Sequence, residues 1–172
     1  MKAKLEKNIL VCNIICALLL VCLVASQFIP FWGVTLPDQE TGEPVMTKAS
    51  LMGVTGRQYV HEDLIERLNV ITEAEGGFSY TYISTQVLLT VCLGAFAAFL
   101  CIRNSHGWFR AVLTLVAAGA SASLWILVPA YTLGIVGHIL FGLSIALFLM
   151  GLVLVYLYIQ QKREEKNERE KG

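Results

Sequence analysis

Residues 111 to 161 contain no Asp, Glu, Lys or Arg. A membrane span takes about 20 apolar residues. An uncharged run of 51 residues is therefore too long for one span and suited to two. Pro129, Ala130, Tyr131 and Thr132 interrupt the run near its middle, and Gly134 and Gly137 follow. The run reads as a helical hairpin that turns over Pro129 to Gly134. That feature commits the chain to a polytopic membrane protein.

The remainder agrees. Of 172 residues, 56% are hydrophobic, and mean hydropathy is +0.64. A soluble domain of this size is rarely so apolar. The formal net charge of zero conceals a segregation. Ten of the 13 Lys and Arg fall in Met1–Lys7, Arg103–Arg110 and Lys162–Gly172, whereas eight of the 13 Asp and Glu fall in Pro30–Gly77. By the positive-inside rule the basic segments are cytoplasmic and the acidic one is outside. The expected architecture is an all-α membrane protein, a single four-transmembrane-helix bundle over 1–172. Its spans are about 8–29, 78–102, 111–128 and 133–159, both termini are cytoplasmic, and 160–172 forms a charged tail.

The first apolar run follows Lys2, Lys4 and Lys7. It also has the form of a secretory signal peptide, with Val24-Ala25-Ser26 as a small-residue site. Its length of about 22 residues exceeds a usual signal core of 7–15 and favours an uncleaved span. Five cysteines, Cys12, Cys16, Cys22, Cys92 and Cys101, all fall in expected spans and none in the outer segment. They read as small buried hydrophobes and not as a disulfide framework. Asn13 is the one strongly polar side chain of the first span, suited to a helix–helix hydrogen bond or an interfacial position.

The outer segment, 30–77, is too long for a plain connector. Phe31 to Leu36 reads as a strand, Pro37 to Pro44 as a turn, and Val45 to Met52 as a partly alternating strand. A small extracytoplasmic β-hairpin is expected, with a third strand near Arg57 to Val60. His61 to Ile71 reads as a short amphipathic helix with Leu64, Ile65, Leu68 and Ile71 on one stripe. Its carboxylates and His61 lack the spacing of a metal site, so a solvated acidic face is the reading. Gly76-Gly77 joins it to the second span, whose outer belt is Phe78, Tyr80 and Tyr82.

Arg103 to Arg110 reads as a tight cytoplasmic turn, with His106 exposed in it and Trp108 anchoring the next helix at the interface. Small residues at every fourth position let helix backbones approach closely in lipid. Gly94 and Ala98 supply them on the second span. Ala118, Gly119, Ala122 and Ser123 do so on the third, and Gly142 and Ala146 on the fourth. These eight are the candidate helix-packing residues. A core packed this way leaves little room for a pore within one chain.

An ionisable group inside the membrane is a functional candidate by default. Only His138 is expected there, about one turn inside the outer end of the fourth span, and it is a weak functional candidate. No buried carboxylate is present to couple protons. Gly142-Leu143-Ser144-Ile145-Ala146 and Gly134 to His138 resemble fragments of intramembrane serine proteases. Six residues along one helix, however, separate Ser144 from His138 by about 9 Å of rise and roughly 120° of rotation. They cannot bond as nucleophile and base. Phosphate-loop, zinc and haem motifs are absent. No catalytic residue, metal or cofactor is expected, and nothing favours nucleic acid as a partner.

Four spans, two cytoplasmic termini, a long first outer loop with β character and Trp32 near its start together resemble claudin-type tetraspan proteins. The likeness covers the whole chain as topology only. The claudin loop signature, a second Trp in Gly-Leu-Trp followed by paired cysteines, is missing, since no Cys lies between Cys22 and Cys92. Junction formation and functional residues are therefore not implied. A small bacterial inner-membrane family of the same layout fits equally well, on the short tails and economical loops.

The functional expectation is a non-enzymatic integral membrane protein of the plasma membrane. It would be a structural or accessory subunit acting through its cap and packing faces, in a homo-oligomer or with a membrane-protein partner. The alternative is an oligomeric channel or transporter subunit, and the third class an intramembrane enzyme.

Overall fold

The computed structural model describes residues 2–30, 32–37, 44–52, 80–127 and 130–169. Four long helices make up most of them. They are α1 (Lys2–Ser26), α2 (Tyr80–Ile102), α3 (Gly107–Leu127) and α4 (Ala130–Arg169). Each contains a segment long and apolar enough to cross a membrane: Ala3–Ser26, Ser84–Ile102, Gly107–Leu124 and Gly137–Arg169. The third strand expected at Arg57 to Val60, the amphipathic helix of His61 to Ile71 and the Gly76-Gly77 joint lie outside the described residues.

The helices run past the apolar stretches that announce them. α1 begins at Lys2, six residues before the expected start at Asn8, and α4 continues through the charged tail to Arg169. Hydropathy marks where a chain meets lipid, but intrahelical hydrogen bonds continue into water where propensity allows. At about 1.5 Å per residue the 40 residues of α4 extend roughly 60 Å, twice the hydrocarbon thickness of about 30 Å. One end of α4 therefore stands clear of the bundle.

α1 packs on α2 and α4, and α3 packs on the same two, giving a closed ring of four helices. The N-terminal turns of α1, the α2–α3 turn and the C-terminal part of α4 meet at one end, where Glu6, Asn104, Gly107 and Tyr158 line a common cleft. Successive helices thus alternate in direction.

Leu20, Leu23, Leu124, Leu147 and Leu154 fill the centre and are fully buried, with Ala97, Ala98, Ala117 and Ala118 between them. The surface is apolar as well: Leu18, Ile139 and Ile102 are 64%, 63% and 72% exposed. An apolar exterior around an apolar core is the arrangement of a bundle solvated by lipid.

Two glycines set the interhelical distances. A Cβ on Gly94 would lie 2.9 Å from Val24 Cγ2, and one on Gly151 would lie 2.8 Å from Leu115 Cδ2. The backbones of α1 and α2, and of α3 and α4, approach at these points.

The end opposite the cleft is closed by side chains. Ser26 Oγ donates to the Leu23 carbonyl at 2.6 Å, and Gln27 Nε2 donates to the same carbonyl at 3.2 Å. Three i→i−3 bonds, the last from Ile29 N to Ser26 O, tighten the chain as it leaves α1. Beyond it, β1 (Trp32–Pro37) and β2 (Pro44–Ala49) pair antiparallel, with Trp32 opposite Ala49 and Pro37 opposite Pro44. Met52 N donates to Gln27 O at 2.9 Å and ties the strand pair back to the bundle.

Candidate functional site

The α2–α3 turn gathers a group of polar side chains at one end of the bundle. Ser105 N donates to Leu100 O and Asn104 N to Cys101 O, both at 3.2 Å. This is a Schellman closure of α2 with Asn104 at the left-handed position, φ 50°. Asparagine tolerates that conformation better than most side-chain-bearing residues. His106 is also left-handed, φ 52°, and its carbonyl accepts the first bond of α3 from Arg110 N at 3.0 Å.

The consequence is a correction to the sequence reading. Arg110 does not sit in the turn. α3 starts at Gly107, three residues before it, and the Arg110 side chain is only 2% exposed. Nor is His138 the only ionisable group to be weighed inside the spans. His138 lies on the exposed side of α4, while a guanidinium is buried between helices at the other end.

Arg110 Nη2 donates to the Tyr158 hydroxyl of α4, and Nη1 makes a long 3.5 Å bond to the Leu100 carbonyl of α2. The guanidinium carbon lies 5.3 Å from the Tyr158 ring centroid, within cation–π range. Its Nε has no partner. Among the described residues no carboxylate pairs with Arg110, whose bonds run to a hydroxyl and a carbonyl. Charged side chains within membrane helices are ordinarily matched by an opposite charge or face a water-filled space.

The space is there. Arg110 lines a cleft of about 610 Å³ together with Glu6 of α1, Asn104 of the turn, Trp108 of α3 and Tyr158 and Lys162 of α4. Asn13, fully buried on α1, donates through Nδ2 to Asn104 Oδ1 at 3.1 Å. The polar side chains at this end therefore come from α1, α3, α4 and the α2–α3 turn, and α2 adds the Leu100 carbonyl. Gly107 leaves room for the Tyr158 ring, since a Cβ there would stand 2.6 Å from it.

The eight candidate packing residues divide by environment. Gly94, Ala98 and Ala118 are buried within the bundle, and Gly119, Ala122 and Ser123 are half-buried on α3. Gly142 and Ala146 are exposed on the outer side of α4. A Cβ on Gly142 would meet nothing within 4 Å. Ser144, one residue pair away, faces inward: its Oγ lies 2.8 Å from Ser121 Oγ and donates to Leu140 O at 2.8 Å. The hydroxyl pair joins α3 to α4. Among the described residues no three His, Cys, Asp or Glu side chains are placed to hold a metal ion.

Sequence reasoning passed over Arg110, Tyr158 and Asn104. One signal was available: Arg110 follows Trp108, an interfacial residue type, and so lies on the membrane side of it. No family model matches the chain, and no curated protein or solved structure matches it either.

Proposed function

We propose that the chain is a non-enzymatic integral membrane protein, an accessory or structural subunit that assembles with further copies of itself or with another membrane protein. The observation that carries this reading is the outward notch on α4. Gly142 and Ala146 lie one turn apart on the exposed side, with nothing over Gly142. Small residues at that spacing let a second helix approach its backbone. The other six small positions are at least half-buried within the chain itself, and the centre is filled by leucines. That filling disfavours a conduction path through one copy.

The same reading places both termini in the cytoplasm and residues 30–77 outside the cell, at a bacterial inner membrane. Its support is that Glu6, Arg110 and Lys162, one from each basic segment, share one end of the bundle. Positive segments gathered at one end follow the positive-inside rule.

The test is mild-detergent extraction, mass determination and identification of co-purifying proteins, for the natural chain and for Gly142→Leu and Ala146→Leu. The natural chain is expected as an assembly. The leucine variants are expected to lose it while keeping their melting temperature. A natural chain that is monomeric and partnerless would sink the proposal.

A further inference from the structure

We propose that the cleft at the α2–α3 turn binds a phospholipid whose headgroup carries both a phosphate and a primary ammonium. The phosphate lies on Arg110 and the ammonium lies toward Glu6 and Glu165. Three observations converge on this ligand, and none of them depends on which side of the membrane this end faces.

The first is the unmatched charge. The Arg110 guanidinium is 2% exposed, is bonded to a hydroxyl and a carbonyl, and keeps Nε without a partner. A buried cation with only neutral acceptors is stabilised by an anion, and the planar guanidinium matches phosphate oxygens. The Tyr158 hydroxyl and the Leu100 carbonyl hold the guanidinium, so little ordering is left to be done on binding.

The second is the charge pattern of the lining. Arg110 and Lys162 are balanced by Glu6 and Glu165 in the same cleft. Arg110 is buried, whereas Glu6, Lys162 and Glu165 are exposed. Arg110 therefore lies deep, while Lys162 and both carboxylates lie at the rim, where the carboxylates outnumber the lysine two to one. A ligand of two or more negative charges would meet the rim carboxylates unfavourably. A headgroup with an inner phosphate and an outer ammonium satisfies both levels. A quaternary ammonium would offer the carboxylates no N–H donor.

The third is the flank. Trp108 and Ile159, both lining the cleft, are 52% and 40% exposed and apolar. A free phosphate has no use for such surface. An acyl chain descending from the headgroup covers it, and Trp is a residue type of the headgroup level. The cleft also opens at the ends of the helices, where headgroups lie.

The experiment is native mass spectrometry of the full chain in detergent. An equal mixture of phosphatidylethanolamine, phosphatidylglycerol and phosphatidylcholine with identical acyl chains is added. The natural chain is expected to retain phosphatidylethanolamine in preference to the other two. Arg110→Gln is expected to lower retention of all three by about tenfold or more, the loss of a charge-assisted bond pair. The double variant Glu6→Gln, Glu165→Gln is expected to keep phospholipid but lose the preference for phosphatidylethanolamine over phosphatidylglycerol. Both substitutions are on exposed side chains, so this arm stands even where Arg110→Gln fails to fold. Equal retention of the three lipids by the natural chain overturns the proposal, and so does a preference that survives the double variant. Soluble glycerophosphoethanolamine is the control for source. Displacement of the lipid at equal concentration would make the ligand a free phosphoester and overturn the lipid assignment.

Discussion

The Arg110 guanidinium, in the first turn of α3, donates to the hydroxyl of Tyr158, 48 residues further along on α4. The Tyr158 ring also lies within cation–π range of the same guanidinium. One tyrosine thus supplies the main polar contact of the one guanidinium buried among the described residues. The cleft, the turn and the lower part of α4 are arranged around that pair.

Tyr158→Phe keeps the ring and removes the acceptor. A hydrogen bond to a charged group contributes about 1.5–3 kcal/mol, and its loss leaves a buried donor unsatisfied. The variant is expected to melt at a clearly lower temperature in detergent, while Tyr156→Phe, at a 59% exposed position, does not. Replacing Arg110 by Met in the Tyr158→Phe background should recover most of the loss, because buried charged groups are often replaceable by apolar ones of similar volume. Additive losses in the double variant would mean that the two side chains are not coupled as the geometry shows.

The two classes of helix glycine separate in a second experiment. Gly94→Leu puts side-chain atoms where Val24 stands, 2.9 Å from the first new carbon. Overpacking of that kind costs about 1–3 kcal/mol. Val24→Ala in the same chain should relieve part of it. Gly142→Ala adds its methyl to open space and gains up to about 1 kcal/mol of helix propensity. In detergent that dissociates any assembly, the thermal shift is expected to be negative at 94 and zero or positive at 142. A loss at 142 equal to that at 94 in the monomer would place a neighbour from the same chain over Gly142 and contradict its outward position.

The four spans were legible because a bilayer imposes length and apolarity on any helix that crosses it, and the Ala111–Gln161 run carries both without ambiguity. What was not legible is how deep a charge sits. The positive-inside rule treats Arg103 and Arg110 as one loop label, yet Arg103 is exposed and Arg110 is buried. The difference comes from the Asn104 closure. It ends α2 and lets α3 begin at Gly107, carrying Arg110 inward by one turn. Nothing in hydropathy encodes a left-handed asparagine. Tyr158 likewise carries no distinguishing signal, since a tyrosine near a span's end serves lipid and protein contacts equally well. Asn13 was singled out from its type alone, and its partner Asn104 is 91 residues away, a pairing that no local pattern carries.

The Ser121–Ser144 pair predicts a small and non-additive effect. Interhelical hydroxyl bonds in membranes contribute about 0.6 kcal/mol on average. Ser144 also donates to Leu140 O, so it remains satisfied when Ser121 is removed. Ser121→Ala should therefore cost about half a kcal/mol or less. Adding Ser144→Ala should change little further. A loss several times larger from either single substitution, measured by thermal unfolding, would point to a role for the hydroxyl beyond packing.

Gly107 makes room for the Tyr158 ring, and that claim can be isolated. A methyl on residue 107 would lie 2.6 Å from Tyr158 Cε1 and 3.0 Å from Cζ. The ring or the start of α3 must move, and the Arg110 bond with it. Gly107→Ala is expected to cost about 1–3 kcal/mol in the natural chain. It should cost a similar amount on Tyr158→Phe, where the ring is unchanged and only the hydroxyl is gone. On Tyr158→Ala the obstruction is absent. There the extra methyl should be neutral, or stabilising by up to about 1 kcal/mol through helix propensity. Thermal unfolding of the three pairs decides the matter. A cost on Tyr158→Ala equal to that in the natural chain would trace the need for glycine to the turn's backbone and remove Tyr158 from the account. The expected pattern assigns Gly107 a steric task, leaving the space in which an aromatic ring packs against an arginine.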